Sequence, residues 1–286
     1  MVGAKRNLTI AIAKSVAIFV FSAFFVVPLW LVIMASVTDS VTFIQRGYSF
    51  WAGKFSVKAF SFVFKNSLVI TGLMNSVIAT VSVTVLSVVI NTSAAYVLHE
   101  KNLPGHKFLN TFFVFTMFFN TGMIPIVLVI RELGLYNTYM VLIIPAVLNV
   151  YNILLIRNYF YSVPASLKEA PMIDGANQMQ IFVQIMVPVS TPIIATTALM
   201  AFVTKWNSYM DVLYYVNKDN TSLWTIQYVV QEMLADFKAF NDEDGVMSKG
   251  VVQSATIIIT ILPLMLLFPL LQKYFVDGMT IGAVKG

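Results

Sequence analysis

The chain has 286 residues, of which 58% are hydrophobic, 14% aromatic and only 11% charged, and its mean hydropathy is +0.82. A soluble domain usually carries about 25% charged residues, so this chain cannot dress its apolar surface in charge, and a disordered chain, polar and highly charged, is excluded by the same figures. The net charge of +5 on so few charged groups fits an asymmetric membrane surface rather than nucleic acid, and the absence of cysteine removes disulfide scaffolds, zinc–thiolate sites, iron–sulfur clusters and cysteine nucleophiles.

A bilayer core about 30 Å thick asks for roughly 20 apolar helical residues. Uncharged runs at 15–38, 66–98, 108–130, 133–156, 175–204 and 250–272 are long enough. Trimmed of their polar ends, they predict six membrane helices at about 15–37, 68–97, 108–130, 137–156, 190–207 and 253–272. The runs are continuous, whereas a β-barrel would alternate in short segments. The expected fold is therefore an all-α integral membrane protein, one domain over 1–286 with no internal repeat. Lys5 and Arg6 precede the first run as in a signal peptide, but the run is too long for one; it is predicted to stay as a span, with Lys14 snorkelling from its end.

Between the first two spans, Phe50, Trp51, Phe55, Phe60, Phe62 and Phe64 suggest a helix lying along the interface, where aromatic rings collect. The largest external loop is 208–249. In it Leu223, Ile226, Val229, Val230, Met233, Leu234 and Phe237 recur at helical spacing, predicting a helix over 221–240 and then a turn at 241–245. The 18 Lys and Arg residues divide evenly between the two sides. Because long loops weigh less in setting orientation, both termini are placed in the cytoplasm.

That orientation makes 157–189 a long cytoplasmic loop. Ser162 or Ser166 can cap a helix start, and Pro164 suits a first turn. A short helix over 165–173 is expected, then a turn at Asp174-Gly175. Asn177 can cap a second helix that sets Ile181, Phe182 and Ile185 on one face and Gln178 and Gln184 on another, with Pro188 stopping it. A rigid helix–turn–helix of this kind suits the docking of another protein; an ordinary interfacial loop is the plainer alternative.

The order Glu169-Ala170-Pro171, Asp174-Gly175-Ala176, eight residues, then Ile185-Met186-Val187-Pro188 resembles the EAA loop of ABC importer permeases. It departs from that pattern at Pro171, where the family has Ala, and at Val187, where it has Leu. Asn75-Ser76, Ala94-Ala95-Tyr96, Trp206-Asn207 and the tail from Gly282 to Gly286 are similar to the carbohydrate-uptake branch, which includes the maltose-type inner-membrane permeases. The stretches 120–125 and 133–138 resemble polysaccharide-lyase-associated permeases of Gram-positive bacteria.

The likeness implies a type I permease of a binding-protein-dependent importer for oligosaccharides, with a hint of uronate-containing ones, in the bacterial inner membrane. Glu169, Ala170, Asp174, Gly175, Ala176, Ile185 and Pro188 would then form a coupling helix at the contact with an ATP-binding subunit. It further implies a second, non-identical permease, two ATP-binding subunits that hold ATP and magnesium, and an extracytoplasmic solute-binding protein. Membrane lipid is a partner and nucleic acid is not. Pro171 removes a helical hydrogen bond and is expected either to bend the first helix or to meet a matching cleft.

Catalysis and cofactors are not expected of this chain. The stretch from Gly47 to Phe55 has the wrong spacing for a phosphate loop, and His99-Glu100 lacks the second histidine of a zinc protease. His99 and His106 are expected to be solvated. Asp242-Glu243-Asp244-Gly245 fails the ligand spacing of a calcium loop, and no metal site is predicted. The spans carry almost no charge, which argues against the ion relay of an independent secondary transporter or channel, and no acid–base pair suits a membrane-embedded enzyme. Amides are present instead. Asn75, Asn120, Asn149 and Asn152, with Tyr151, are candidates to line a sugar path, the alternative being helix–helix hydrogen bonds. Trp206, Asn207, Tyr209 and Asp211, at the outer end of the fifth span, are candidates to touch substrate or the binding protein, the alternative being an aromatic belt.

Overall fold

The computed structural model describes residues 2–119, 121–235 and 247–283. Among them regular structure is helical, with one isolated antiparallel bridge between Thr38 and Phe55. Four helices are long and apolar enough to cross a membrane: Lys14–Ser36, Ser67–His99, Tyr139–Phe160 and Lys249–Leu267. Two bent pairs, His106–Phe118 with Met123–Glu132 and Gln178–Val189 with Thr191–Trp206, make six if each pair is one span. The chain divides into two compact units, Met1–Ile70 with Val230–Leu262, and Thr71–Val229 with Pro263–Gly286.

The first unit contains α1 (Val2–Ser36), α2 (Ser40–Arg46) and α3 (Lys58–Lys65). From Ser15 to Ser36 helix α1 carries no charged residue, and Phe19 and Phe24 are about three-quarters exposed, the pattern of a helix made for lipid. After it the chain folds back on itself. The Asp39 amide donates to the Lys54 carbonyl, the Ser56 amide to the Val37 carbonyl, and the Trp30 indole to the Phe50 carbonyl at 2.9 Å. The aromatic helix expected between spans is therefore confined to α3. Phe50, Trp51 and Phe55 lie in the turns before it, held by these backbone bonds rather than by helical ones. A Cβ on Gly250 would stand 2.3 Å from the Phe43 ring, so only glycine admits this contact.

The second unit holds most of α4 (Ser67–His99), α5 (His106–Phe118), α6 (Met123–Glu132), α7 (Ile144–Val147) and α8 (Val150–Phe160). It also holds α9 (Ser166–Ile173), α10 (Gln178–Ile181), α11 (Val187–Val189), α12 (Thr191–Trp206) and α13 (Met210–Tyr215). Helix α14 (Ile226–Ala235) begins in this unit, and α15 (Lys249–Ala283) ends in it.

The continuous helix expected over 108–130 is broken. Helices α5 and α6 meet at 116°. Gly122 takes φ +79 and ψ 171, which no helix contains, and Pro125 would clash in a helix running through from α5, whereas it fits the first turn of a new one. The span expected at 137–156 also starts irregularly. It is a 3-10 turn at Tyr139–Leu142 and then α7, with Pro145 in its first turn, before Asn149 caps α8, which runs to Phe160. In the loop at 208–249 the helix expected over 221–240 is a 3-10 turn at Thr221–Leu223 followed by α14 from Ile226; its end, with the turn at 241–245 and the acidic run, lies outside the described residues.

One core cluster fixes the region around α9 to α12. Ala95 and Leu98 of α4, Ile153, Ile156 and Phe160 of α8, and Ile181, Met186 and Ile193 are buried together, with Tyr96, Ala176 and Phe182 packed against them. Burial of this apolar set, rather than propensity, holds helices as short as α10.

Candidate functional site

The segment from α9 to α11 is built by local rules. Helix α9 starts at Ala165 with no side-chain cap. The expected serine cap is absent because the Ser162 hydroxyl bonds back to the Tyr159 carbonyl at 2.6 Å and Ser166 is already inside the helix. Its end is a Schellman motif: the Ala176 amide donates to the Pro171 carbonyl at 2.9 Å and the Gly175 amide to the Met172 carbonyl at 3.2 Å. That closure needs a left-handed residue at the second place of Asp174-Gly175-Ala176, and Gly175 has φ +87. Pro171 thus keeps a carbonyl that ties off the turn, and the helix contains it without ending there.

Asn177 then opens α10 through a capping box with Gln180, with bonds of 2.8 and 2.9 Å in the two directions. A π-turn at Phe182–Met186 follows, a form often found at functional positions. Pro188 does not stop the helix. It lies directly after the π-turn in the continuous helical run Gln178–Val189, which ends one residue later, and the 79° bend falls at Ser190.

The outer face of this piece is unusual in composition. Glu169, Ala170, Asp174 and Gly175 are exposed. Around them stand Leu167, Met172, Ile173 and Met179, exposed by 41%, 48%, 85% and 68%. Ala176 and Ile185 are half-buried and Pro188 is exposed, so Ala176 belongs to the support of the face and not to its surface. On the supporting side, Lys168 pairs with Glu100 just beyond α4, and the Tyr96 hydroxyl donates to Gln178 Oε1 at 2.8 Å. The hydrogen bond and charge of Lys168 hold the Glu100 carboxyl below the usual carboxylate range. His99 is not solvated as expected: its ring packs 4.6 Å from that of Tyr161, and His106 Nε2 lies 3.2 Å from the Leu98 carbonyl.

A cavity of about 300 Å³ lies between the middle of α4, the start of α8 and the end of α12. Four candidates from the sequence, Asn149, Tyr151, Asn152 and Asp211, line it together with Ser87, Thr204, Lys205 and Ser208. Lys205 is 5% exposed, and its ammonium is 2.5 Å from the Asp211 carboxylate, which also accepts from the Ser208 hydroxyl at 2.9 Å. A buried ammonium requires such a counter-charge. Sequence reading missed Lys205, since a lysine at the end of an apolar run looks like a snorkelling residue; the signal was Asp211 six positions on. Asn149 accepts from the Asn152 amide as the cap of α8, and the Asn91 and Ser87 side chains bond to the Val147 carbonyl.

The remaining candidates lie elsewhere. Asn75 is a strut: its amide donates to the carbonyls of Ser222 and Trp224 at 2.8 and 2.9 Å. Ser76 accepts from the Ile226 amide, and a Cβ on neighbouring Gly72 would stand 3.2 Å from that amide nitrogen. Trp206 is buried and stacked on Phe202. Asn207 donates to the Val203 carbonyl and accepts from Gln227. Tyr209 is half-buried at the start of α13. Asn120 lies outside the described residues.

Helices of membrane-spanning length, a polar cavity among them and an exposed helix–turn–helix define a multi-span membrane protein. No protein-family model matches the chain. The polygalacturonan/rhamnogalacturonan transport system permease protein YtcP of Bacillus subtilis (strain 168) is 33% identical over 272 residues, 93% of this chain and 94% of the relative. The arabinooligosaccharides transport system permease protein AraQ of Halalkalibacterium halodurans is 28% identical, covering 94% of each. Among solved structures, a bacterial ABC transporter involved in import of the acidic polysaccharide alginate superposes with a TM-score of 0.86 at 28% identity, over 93% of this chain and 96% of that one. The chain belongs to the sugar ABC-transporter permeases.

Proposed function

We propose that this chain is one of two non-identical permease subunits of a binding-protein-dependent importer in the bacterial inner membrane, with six spans and both ends in the cytoplasm. Two ATP-binding subunits hold ATP and magnesium, and an extracytoplasmic binding protein delivers an oligosaccharide. This chain performs no hydrolysis itself. The face around Glu169, Ala170, Asp174 and Gly175 receives the movement of an ATP-binding subunit, with Ala176, Ile185 and Pro188 supporting it. The spans then reorient as rigid bodies between inward- and outward-facing states.

The observation that carries this reading is the exposure of Met172 and Ile173 beside two carboxylates on a turn held rigid by its own backbone. Exposed apolar groups rimmed by charge mark an interaction surface, and a rigid element passes on a push without absorbing it. The cavity supplies the sugar path. Amides at Asn149 and Asn152 and the hydroxyls of Ser208 and Thr204 suit sugar hydroxyls, and the Tyr151 ring suits an apolar sugar face. Substrates of the relatives, among them polygalacturonan and alginate, favour uronate-containing oligosaccharides.

The test is Asp174→Arg in the reconstituted complex with its ATP-binding subunits and binding protein. Oligogalacturonate uptake per ATP should fall while insertion and assembly persist. Unchanged coupling in that variant would remove the docking role from this turn.

A further inference from the structure

Residues on two stretches far apart in the chain, 96–100 and 168–182, meet behind the docking face. Lys168, on α9, pairs with Glu100, one residue beyond the end of α4, and its ammonium also stands 5.9 Å from the centre of the Tyr96 ring. The Tyr96 hydroxyl, on the last turns of α4, donates to Gln178 Oε1 on α10, and the Tyr96 ring lies 4.8 Å from that of Phe182. Both short helices on either side of the Gly175 turn are thus fastened to the same end of the same long helix. Beneath these polar links Ala95 and Leu98 of α4 share a buried cluster with Ile181 and Met186.

This arrangement goes beyond covalent connection. The docking segment is joined through the chain to α8 before it and α12 after it, but α4 precedes it by some 66 residues, from His99 to Ser166. Helix α4 is unbroken for 33 residues, and its middle, at Val83 and Ser87, forms one wall of the cavity. An unbroken helix carries a displacement of its end to its middle, whereas through the chain itself the segment reaches α8 only by way of the non-helical residues 161–165 and α12 only around a 79° bend.

We infer that Glu100, Lys168, Tyr96 and Gln178 form a latch that makes α4 move with the docking segment, so that a push on the turn at Gly175 reaches the cavity wall directly along α4. These are positioning residues: none touches substrate or nucleotide. The inference rests on the proposed docking role of α9 and α10.

The latch is partly exposed, so its value lies in position more than in stability. Isolated surface pairs contribute little to folding, and loss of this one should leave the protein assembled. The Glu100 carboxylate accepts from Lys168, and the charges remain complementary if the two residues are exchanged, which gives a rescue that a packing role would not show.

The chain has no cysteine, so engineered thiols are unique within it. In the full complex, with cysteine-free partners, spin labels at Val85→Cys on α4 and Phe19→Cys on α1, both exposed positions, report α4 displacement when ATP and vanadate are added. No sugar is needed for this readout. In the Glu100→Gln/Lys168→Gln variant the nucleotide-driven change in distance should shrink. The exchanged variant, Glu100→Lys/Lys168→Glu, should restore it. A disulfide between Glu100→Cys and Lys168→Cys, with the labels placed by orthogonal chemistry, should preserve the full change, because the two elements travel together.

A full change in the Gln/Gln variant, no rescue by exchange, or a change abolished by the disulfide would each overturn the latch. The Asp174→Arg variant separates the two ideas: if it loses the change while the Gln/Gln variant keeps it, the docking role stands and the latch fails. If neither variant loses it, the docking role fails as well.

Discussion

The segment from α9 to α11 and the cavity hold their polar groups in opposite ways. In 166–189 the defining bonds are local: Ala176 to Pro171, Gly175 to Met172, Asn177 with Gln180. Carboxylates and apolar tips are left facing outward. In the cavity the polar groups turn inward on one another, and the strongest link is a buried ammonium with its counter-ion. A locally closed element is rigid wherever it is placed and can be pushed as a unit. A site closed by tertiary contacts changes shape when the helices carrying it move. That is the division of labour a permease needs.

The sharpest contrast comes from removing one charge. Asp211→Ala leaves the Lys205 ammonium buried without a partner, which should destabilise the protein by about 3–5 kcal/mol, read as a lower melting temperature in detergent. The double change Lys205→Met/Asp211→Leu should recover most of that loss, because a neutral pair of similar size carries no desolvation cost. If the cavity serves acidic sugar, the double variant should nonetheless import oligogalacturonate poorly. Normal import by a stable double variant would take the pair out of the sugar path.

Next in size is Asn75→Leu. It orphans the carbonyls of Ser222 and Trp224, at about 1–3 kcal/mol for each buried group left unpaired. Stability should drop while the sugar dependence of uptake in surviving protein stays the same; a changed dependence would return Asn75 to the substrate path. At the docking turn, Gly175→Ala meets no neighbouring atom, so its effect is purely of the backbone, about 1–2 kcal/mol for an L-residue held left-handed. Melting should fall by a few degrees, and ATP-coupled uptake should weaken.

The smallest expected effect is of pH. The Glu100 carboxyl is held below its ordinary value by Lys168. Such a group contributes its stabilisation above its unfolded pKa of about 4.3 and loses it only as pH falls through the lower folded value. Coupling should therefore be flat between pH 6 and 8 so far as this pair is concerned. A coupling step in that range that disappears in Glu100→Gln would contradict the assignment.

The same contrast explains what the sequence made legible. The Asp174-Gly175 turn and the Asn177 cap could be read in the chain because their partners lie within five residues. The start of α12 near Ser190 was legible as well, since polar glutamines give way there to an apolar run. The break between α5 and α6 was not: a search for uncharged stretches passes over Gly122 and Pro125, which interrupt a helix without adding charge. Lys205 was hidden because burial depends on what packs around it, and the pairing of Glu100 with Lys168 links residues 68 positions apart. Asn149 and Asn152 were found by residue type, but what unites them with Asp211 is the packing of α8 against α12.

The central claim is that the face around Asp174 is seated on an ATP-binding subunit. Ile173, 85% exposed beside it, is the reporter. With Ile173→Cys as the only thiol in the complex, a membrane-impermeant maleimide is applied from each side of the membrane, with and without the ATP-binding subunits. The expected result is labelling from the cytoplasmic side alone, suppressed when those subunits are bound. Labelling from the outer side, or equal labelling with and without them, would contradict the account.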